Sequence, residues 1–453
     1  MFVSLPWLIH RPVFTASLGN FSRYGYNGRL GGFCIGNENG KELNNKRAVK
    51  IPKNERLNVS PQAATSDHGQ TPNSSTVEFY QEILRDAREK FKREISFELK
   101  DTDILLAKAL LYVGAEDESL IAFNREKDAL YLQTERRASA KSPSDARPAW
   151  SNVEAMPLAG KTMDDWLREL DDIANEVESV LVSRKIGRGS VEVMDAVNTV
   201  FFNLKGFRRS NVLSDSTCSY LHSALCSGFC SAIMLSVIYI EVCQRLNLKI
   251  VGSRVGEGFI IWPQTANPEE LFKTTAGHSL FGILNGKCVE DPQSKASDIT
   301  NHSLSGLEIA TNRDIIGIAL ANLIRLHWKR ASKAYHGLML TSPLEFMYNA
   351  EKRKRKSDAP NFPVLRPQEL RLAMMASERL MILQPHNWSL RRDHAMMLYY
   401  TRDYDAAIRE LSICMIFAPE EQVEVLMPFI QKLHLLEAES SWNSLGHKWL
   451  TIP

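Results

Sequence analysis

The chain lacks the cysteine pattern of a disulfide-stapled protein. Its seven cysteines are an odd number, contain no CxxC pair and are scattered from Cys34 to Cys414. A disulfide framework is therefore not expected, and a reducing compartment is predicted. Long hydrophobic runs are missing too. The longest, "SAIMLSVIYI" at residues 231–240, is far shorter than the roughly 20 residues that a membrane span needs. The sequence predicts a soluble protein inside the cell.

An excess of charge of one sign is also absent. Lys and Arg number 55 and Asp and Glu number 53 in 453 residues, which leaves a formal net charge of +2. This balance provides no overall field that would attract nucleic acid or a membrane surface, so neither partner is expected. The hydrophobic fraction of 44% is enough for roughly two or three domains with a substantial core.

Acidic residues are missing from the start of the chain. No Asp or Glu precedes Glu38, whereas Arg11, Arg23 and Arg29 stand among Ser, Gly and aromatic residues. An acid-poor, arginine-bearing start is typical of an organellar transit peptide. Residues 38 to 75 are too polar to bury a core. We therefore predict a transit peptide and disordered linker over residues 1–75, directing the protein to the chloroplast, with the mitochondrion as the alternative.

The rest of the chain carries helical periodicity first and strand patterns later. A helix is predicted over residues 78–112, stopped by Gly114, and another over 163–181, where Trp166 and Leu170 begin an apolar stripe. Residues 231–247 are apolar nearly all round, which predicts a buried central helix. The β-branched runs "KIVGSRVG", "GFIIWP" and "SLFGILNGKCVEDP" then predict a small antiparallel sheet. Together these patterns favour an α+β fold that is mostly helical.

The C-terminal part has an internal period. Pro385 and Pro419 lie 34 residues apart, the length of a tetratricopeptide unit. Small, large and aromatic residues occupy the motif's positions between them: Ala395, Leu398, Tyr404, Ala407 and Leu411. We predict a charged linker over 351–367 and a tetratricopeptide-like helical tail over 368–453. Such a tail offers a groove to a protein partner.

Several segments, taken in order, resemble one family. "LLAKALLYVGAEDESL" and "WLRELDDIANEV" look like its helical lead-in, and "FFNLKGFRRSN" is similar to a further characteristic segment. "SYLHSAL" followed by "LSVIYIEVCQRLNL" resembles its most specific stretch, and "VEDP" its aspartate–proline strand end. The family is the SirB-type transglutaminase-like family. The resemblance implies a papain-like transglutaminase-type domain, here over 76–350, joined to a short tetratricopeptide tail.

The superfamily's chemistry uses a thiolate at the start of a buried helix, with a histidine and an aspartate on adjacent strands. In a gapless alignment the nucleophile position falls on Ala232, and a histidine that some members carry falls on Gly258. A substitute triad can be assembled from Cys230, His278 and Asp291. The resemblance thus leaves two hypotheses: a non-catalytic scaffold or adaptor, and a cysteine-dependent acyl transferase or peptidase.

Three thiols and an imidazole recur every four residues at Cys218, His222, Cys226 and Cys230. Each step of four turns a helix about 40° beyond a full turn, so the four cannot meet one ion from a single helix. Gly228 would also weaken or end that helix. Zinc bound by the last three residues, if the chain turns there, is the remaining metal alternative. Buried structural cysteines are the favoured interpretation, and no cofactor or metal is predicted.

Overall fold

A computed structural model describes residues 74–139, 157–184, 189–210, 216–255, 258–264, 282–284, 287–289, 308–332 and 365–446. The molecule is mostly helical and carries a small antiparallel sheet, in agreement with the predicted α+β class. Residues 71–453 form one compact unit. Within the described segments, no helix is both long and apolar enough to cross a bilayer.

The elements are numbered in chain order. The helices are α1 (Ser74–Glu94), α2 (Leu106–Ser139), α3 (Met163–Ser183), α4 (Ser190–Asn198), α5 (Leu221–Ser227), α6 (Ala232–Arg245), α7 (Asn312–Ser332), α8 (Pro367–Leu383), α9 (Trp388–Thr401), α10 (Tyr404–Phe417) and α11 (Glu420–Gly446). The strands are β1 (Arg208–Arg209), β2 (Phe229–Cys230), β3 (Ile250–Val255), β4 (Gly258–Pro263), β5 (Gly282–Leu284) and β6 (Lys287–Val289).

Helix α6 is the central helix of the main core, as its sequence predicts. Every residue from Ile233 to Cys243 is buried, because the helix is apolar on all sides and packs against α2, α3 and α7. Ser231 caps its N-terminus by accepting a hydrogen bond from the backbone N–H of Met234 at 3.4 Å. Near its other end, Arg245 donates to the buried Glu241 carboxylate at 2.7 Å, an ion pair across one turn of the helix.

Helix α3 presents the predicted apolar face to that core. It begins with a capping box in which Thr162 and Asp165 satisfy each other's backbone N–H groups. Trp166 is fully buried, and its indole N–H donates to the carbonyl of Leu158 at 3.1 Å. The prediction that Trp166 and Leu170 begin an apolar stripe is confirmed, since both are buried.

The strands form the antiparallel sheet that the sequence predicts, in the order β3-β4-β5-β6. Val251 in β3 stands opposite Trp262 in β4, and Ile261 in β4 stands opposite Ile283 in β5. A separate parallel pair, β1 with β2, lies just before α6. This pair holds the chain at the start of the central helix.

The prediction that Gly114 stops a helix is wrong. Helix α2 runs through this position from Leu106 to Ser139. A Cβ atom at Gly114 would lie 2.9 Å from Nδ1 of His222 and 3.0 Å from its Cε1. Glycine is therefore needed here because the His222 ring packs closely against the helix. A rule based on local helix propensity cannot predict such a contact.

The C-terminal helices α8 to α11 contain a second core. Helices α8 and α10 end at Leu383 and Phe417, each two residues before a proline of the 34-residue period. Ala395, Ala407 and Leu411 are fully buried where α9 meets α10, and Leu398 is nearly so. The tetratricopeptide assignment and the domain boundaries stay predictions, and residues 1–73 and 333–364 lie outside the described residues.

Candidate functional site

The first candidate site is the start of α6, where the superfamily places its thiol. Ala232 occupies the first helical turn, Ser231 is the cap, and Cys230 precedes both as the last residue of β2. The backbone N–H of Ser231 donates to the carbonyl of Cys218 at 2.7 Å, which ties the site to the turn before α5. The sulfur of Cys230 is fully buried and faces the carbonyl of Gly228 at 3.8 Å.

Burial strongly changes the acidity of this thiol. Removal from water, with a smaller contribution from Cys218, raises the pKa of Cys230 to about 12. A catalytic cysteine needs the opposite shift, because the thiolate is the nucleophile. In this environment Cys230 has the properties of a structural thiol.

The other two members of the predicted triad lie outside the described residues. His278 and Asp291 both belong to segments on which the structure gives no information. The triad of Cys230, His278 and Asp291 therefore stays a prediction. Gly258, where some family members carry a histidine, begins β4 and pairs with Val255.

The stripe of thiols and imidazole is divided among a 3₁₀ turn that contains Cys218, helix α5 and strand β2. Helix α5 ends at Ser227 because Gly228 adopts φ 72°, as the glycine predicts. His222 lies within α5 and is buried, Cys226 near its end is exposed, and Cys230 lies in β2. Nε2 of His222 is 2.7 Å from a carboxylate oxygen of Glu118. Among the described residues, no three His, Cys, Asp or Glu side chains are arranged to hold a metal ion.

A second, larger constellation is a buried ionic cluster centred on Arg379 of α8. Its Nε donates to Glu116 at 2.9 Å and its Nη2 donates to Asp117 at 2.6 Å. All three side chains are at most 2% exposed. Burial by itself would lower the pKa of Arg379, but the Asp117 and Glu116 carboxylates outweigh it and raise that pKa. The guanidinium is therefore a permanent buried cation held by two carboxylates of α2.

Helix α1 supplies a second arginine to the same cluster. Arg88 donates through Nε to Glu116 at 2.9 Å and through Nη2 to Glu378 at 2.6 Å. Glu116 thus accepts from both arginines, one on each oxygen. The cluster joins α1, α2 and α8. Its Arg88–Glu378 pair connects residues that are 290 positions apart in the sequence.

A hydrogen-bond chain extends the cluster toward α7. The hydroxyl of Tyr220 donates to Asp117 at 2.9 Å and lies 2.9 Å from Nε2 of His327. Nδ1 of His327 is 2.7 Å from a carboxylate oxygen of Glu369 in α8. Because Tyr220 has a single proton and gives it to Asp117, its phenol oxygen is left to accept a hydrogen bond on the side that faces Nε2 of His327. Burial, followed by the Asp117 charge, raises the pKa of Tyr220 well above its usual value.

This chain of groups resembles a proton relay in composition, but the groups from Asp117 to His327 are almost completely removed from water, and only Glu369 at its end is partly exposed. Asp117 is fully buried, His327 is 2% exposed and Tyr220 is 7% exposed. A relay acts on a substrate that reaches it, whereas these groups contact one another and neighbouring helices. The arrangement can hold α2, α7 and α8 in a fixed orientation relative to one another.

This cluster was not predicted from the sequence, although the sequence contains a signal for it. Three consecutive acids, Glu116, Asp117 and Glu118, interrupt the apolar helix "LLAKALLYVGAEDESL". Acids on a buried helix require cationic or hydrogen-bonding partners, because an unpaired buried charge is very costly. The pattern could have predicted buried partners, but these partners lie from 28 residues away, for Arg88, to 263 residues away, for Arg379, and their identities follow from tertiary packing alone.

The tail residues that match the predicted 34-residue motif lie mostly in the interior, where two helices pack. Ala395, Ala407 and Leu411 are fully buried, and Leu398 is 7% exposed, so they hold α9 against α10. Tyr404 is the half-buried member of the set. It lines a cleft of about 390 Å³ together with Tyr399, Tyr400, Arg371 and Arg402, among other residues.

The carboxyl of Asp393 in α9 gives a testable pH dependence. Burial outweighs the attraction of Arg392 and raises the pKa of Asp393 to about 6. Since the folded-state pKa lies above the unfolded one, stability falls as pH rises from about 4 to about 6. We expect Asp393→Asn to remove this slope and to raise the free energy of unfolding at pH 7 by on the order of 1–2 kcal/mol. The Asp393 side chain is 18% exposed, so the expected gain in the free energy of unfolding is smaller than the whole pKa shift would give.

Urea unfolding at pH 4.5, 5.5 and 7 measures this effect. Asp405→Asn is the matched control, because that carboxylate on α10 is 61% exposed and pairs with Arg409 on the surface. An equal pH slope in wild type and Asp393→Asn would contradict the assignment.

The comparisons with known proteins agree with this fold. Residues 164–321 match the family model described as the transglutaminase-like superfamily, so this part of the chain is a transglutaminase-like domain. No curated protein and no solved structure matches the chain. The match begins in α3 and ends in α7, and it includes the start of α6. Helices α1 and α2 precede it, α2 carrying the buried Glu116 and Asp117, and α8 with Arg379 follows it.

Proposed function

We propose that this chain is a non-catalytic transglutaminase-like protein that acts as a protein-interaction scaffold or adaptor in an organelle. The observation that carries the proposal is the state of Cys230. The thiol nearest the start of α6 is fully buried and has its pKa raised to about 12, the reverse of what nucleophilic attack requires. The positions that the family resemblance aligns with the nucleophile and a histidine hold Ala232 and Gly258.

The buried ionic cluster supports the scaffold part of the proposal. Arg379 and Glu378 of α8 pair with side chains of α1 and α2, so the C-terminal helices are fastened to the helices that precede the transglutaminase-like domain. A rigid connection suits a protein that presents a partner surface at a fixed position. It also means that deletion of residues 366–453 would remove the Arg379 cation from Glu116 and Asp117 and disturb the fold around them, so substitutions test the tail better than truncation does.

An amine-incorporation assay tests the absence of catalysis. The full chain is incubated with a fluorescent primary amine and casein as a glutamine-bearing acceptor, and covalent labelling of casein is followed. We expect wild type and Cys230→Ala to match the protein-free background. Incorporation by wild type that disappears in both Cys230→Ala and His278→Ala would replace the scaffold proposal with a cysteine-dependent acyl transferase.

The organelle is proposed from composition alone. Residues 1–75, fused to a fluorescent protein, are expected to direct it to chloroplasts in leaf cells. Accumulation in mitochondria would favour the alternative organelle, and a diffuse cytosolic signal would remove the targeting proposal.

A further inference from the structure

A cleft lies where the start of α8 meets the end of α9 and the start of α10. Its volume is about 390 Å³, within the range of roughly 300–1,000 Å³ that small-molecule sites occupy. Two arginines, Arg371 and Arg402, are among the described residues that line it, and no Asp or Glu is. A concave lining that contains cations and no carboxylate favours an anionic ligand.

Tyrosine rings form one wall of this cleft. Tyr400 and Tyr404 are half-buried, so part of each ring is accessible from the cleft. The buried ring of Tyr399 packs against both, with centroid distances of 5.4 Å to Tyr400 and 6.1 Å to Tyr404. Pro367 and Leu370 of α8 add apolar surface. Such a wall suits a planar ring, because aromatic rings pack against one another in offset or edge-to-face contacts.

Arg402 has a backbone conformation that glycine normally supplies. It caps the C-terminus of α9 with φ 64°, in the left-handed region, where an L side chain is strained. Its exposed side chain forms neither an ion pair nor a hydrogen bond with any residue that the structure describes. Strain of this kind is concentrated at functional sites. An arginine that makes no internal contact at a strained position of a cleft is available to a ligand.

The acids around the cleft have other partners. Arg371 lies 3.7 Å from Glu378, which has a closer cation in Arg88 at 2.6 Å. A carboxylate oxygen of Glu369 lies 2.7 Å from an imidazole nitrogen of α7, and Asp403 caps the start of α10. The guanidinium of Arg402 is therefore left without a counter-charge among the described residues. A planar carboxylate matches such a guanidinium with two parallel hydrogen bonds.

The geometry points to a binding site in this cleft for an aromatic carboxylate, held by Arg402 and by the rings of Tyr400 and Tyr404. One unpaired guanidinium matches the single charge of one carboxylate, and the tyrosine wall receives the ring. Two sources supply this chemistry: a free aromatic acid, and a protein C-terminus that ends in an aromatic residue. The inference goes beyond the proposed scaffold function, because binding in this cleft does not depend on the state of Cys230.

Ligand-observed NMR titration of the full chain tests the site with three compounds. N-acetyl-phenylalanine has both the ring and the carboxylate, its primary amide lacks the charge, and N-acetyl-alanine lacks the ring. We expect the aromatic acid to bind at least fivefold more tightly than either of the others, since each of them loses one of the two contacts.

Arg402→Gly is the informative variant, because glycine adopts φ 64° without strain. It should bind the aromatic acid no better than wild type binds the amide, while the unfolding temperature stays the same or rises. Arg402→Lys should be intermediate, since lysine keeps the charge and loses the planar fork. Arg409→Gln is the matched control and should leave binding unchanged, because Arg409 on α10 is 63% exposed and pairs with Asp405.

A hexapeptide that ends in phenylalanine separates the two sources. Binding at least fivefold tighter than that of N-acetyl-phenylalanine would assign the carboxylate to a protein C-terminus, whereas equal or weaker binding would assign it to a free acid.

Three results would overturn the inference: no saturable binding of the aromatic acid at about 10 mM, equal binding of acid and amide by wild type, or undiminished binding of the acid to Arg402→Gly. The amine-incorporation assay does not involve this cleft, so failure here leaves the non-catalytic assignment unaffected, and the reverse also holds.

Discussion

Replacing Arg379 by Met is expected to lower the free energy of unfolding by about 3–5 kcal/mol. The guanidinium is 2% exposed and donates to Glu116 and Asp117, which are 2% and 0% exposed. Methionine has a similar volume and fills the space, so packing is largely kept. Two carboxylates would nevertheless stay buried with one of their cations gone, and an uncompensated buried charge accounts for losses of this size.

Urea unfolding followed by circular dichroism at pH 7 measures the loss. Arg409→Met is the matched control, because Arg409 on α10 is 63% exposed and pairs with the equally exposed Asp405, an arrangement worth little. Arg379→Lys should fall between, since lysine keeps the charge but cannot reach both carboxylates with a planar fork.

A double variant separates the charge from the contacts. Arg379→Met combined with Asp117→Asn is expected to lose less stability than the sum of the two single variants, because each change relieves the charge that the other leaves unpaired. A loss below about 1 kcal/mol for Arg379→Met alone would contradict the role of the cluster in stabilising the fold.

Alkylation of Cys230 at neutral pH is expected to be at least a hundredfold slower than alkylation of Cys226. With its pKa at about 12, Cys230 has a thiolate fraction roughly three orders of magnitude below that of an ordinary thiol. A more basic thiolate is a stronger nucleophile, which offsets part of this decrease in the alkylation rate. Full burial of Cys230 slows the reaction further. Cys226 is exposed and provides an internal comparison within the same chain.

Iodoacetamide labelling with peptide mass spectrometry gives both rates from one sample. The thiolate fraction of Cys230 should keep rising about tenfold per pH unit through pH 10, while an ordinary thiol levels off above about 8.5. Labelling in urea should erase the difference between the two cysteines. Rapid labelling of native Cys230 that slows in His278→Ala would indicate an activated nucleophile and contradict the scaffold proposal.

Local patterns predicted much of the secondary structure. Helix α6 is apolar on every side and is accordingly buried, and the stripe beginning with Trp166 and Leu170 faces the core. The β-branched runs pair as an antiparallel sheet. These predictions succeeded because period and propensity act within a few residues, which a sequence displays directly. Gly114 was misread for the complementary reason: its role depends on His222, over a hundred residues later.

The candidate site, too, could be predicted only in part from the sequence. The sequence identified Cys230 as the thiol nearest the central helix, but its acidity depends on burial by the surrounding elements. Ala395 and Ala407, which occupy small-residue positions of the predicted 34-residue motif, are small because two helices approach closely there, and they are buried as a result. A sequence motif shows at which positions the residue type is restricted. Which of these residues are exposed depends on how the chain folds.

The sequence by itself determined a mostly helical α+β chain with a buried helix, predicted at residues 231–247 and observed at 232–245, and helix ends near two prolines 34 residues apart. These features depend on side-chain period and backbone restriction, both of which are local. Tertiary structure alone decided that Glu116 and Asp117 of α2 hold Arg379 of α8, and that Leu435 and Trp442 stay outside the core. Pairing of buried charges and exposure of apolar side chains depend on which distant segments meet in space.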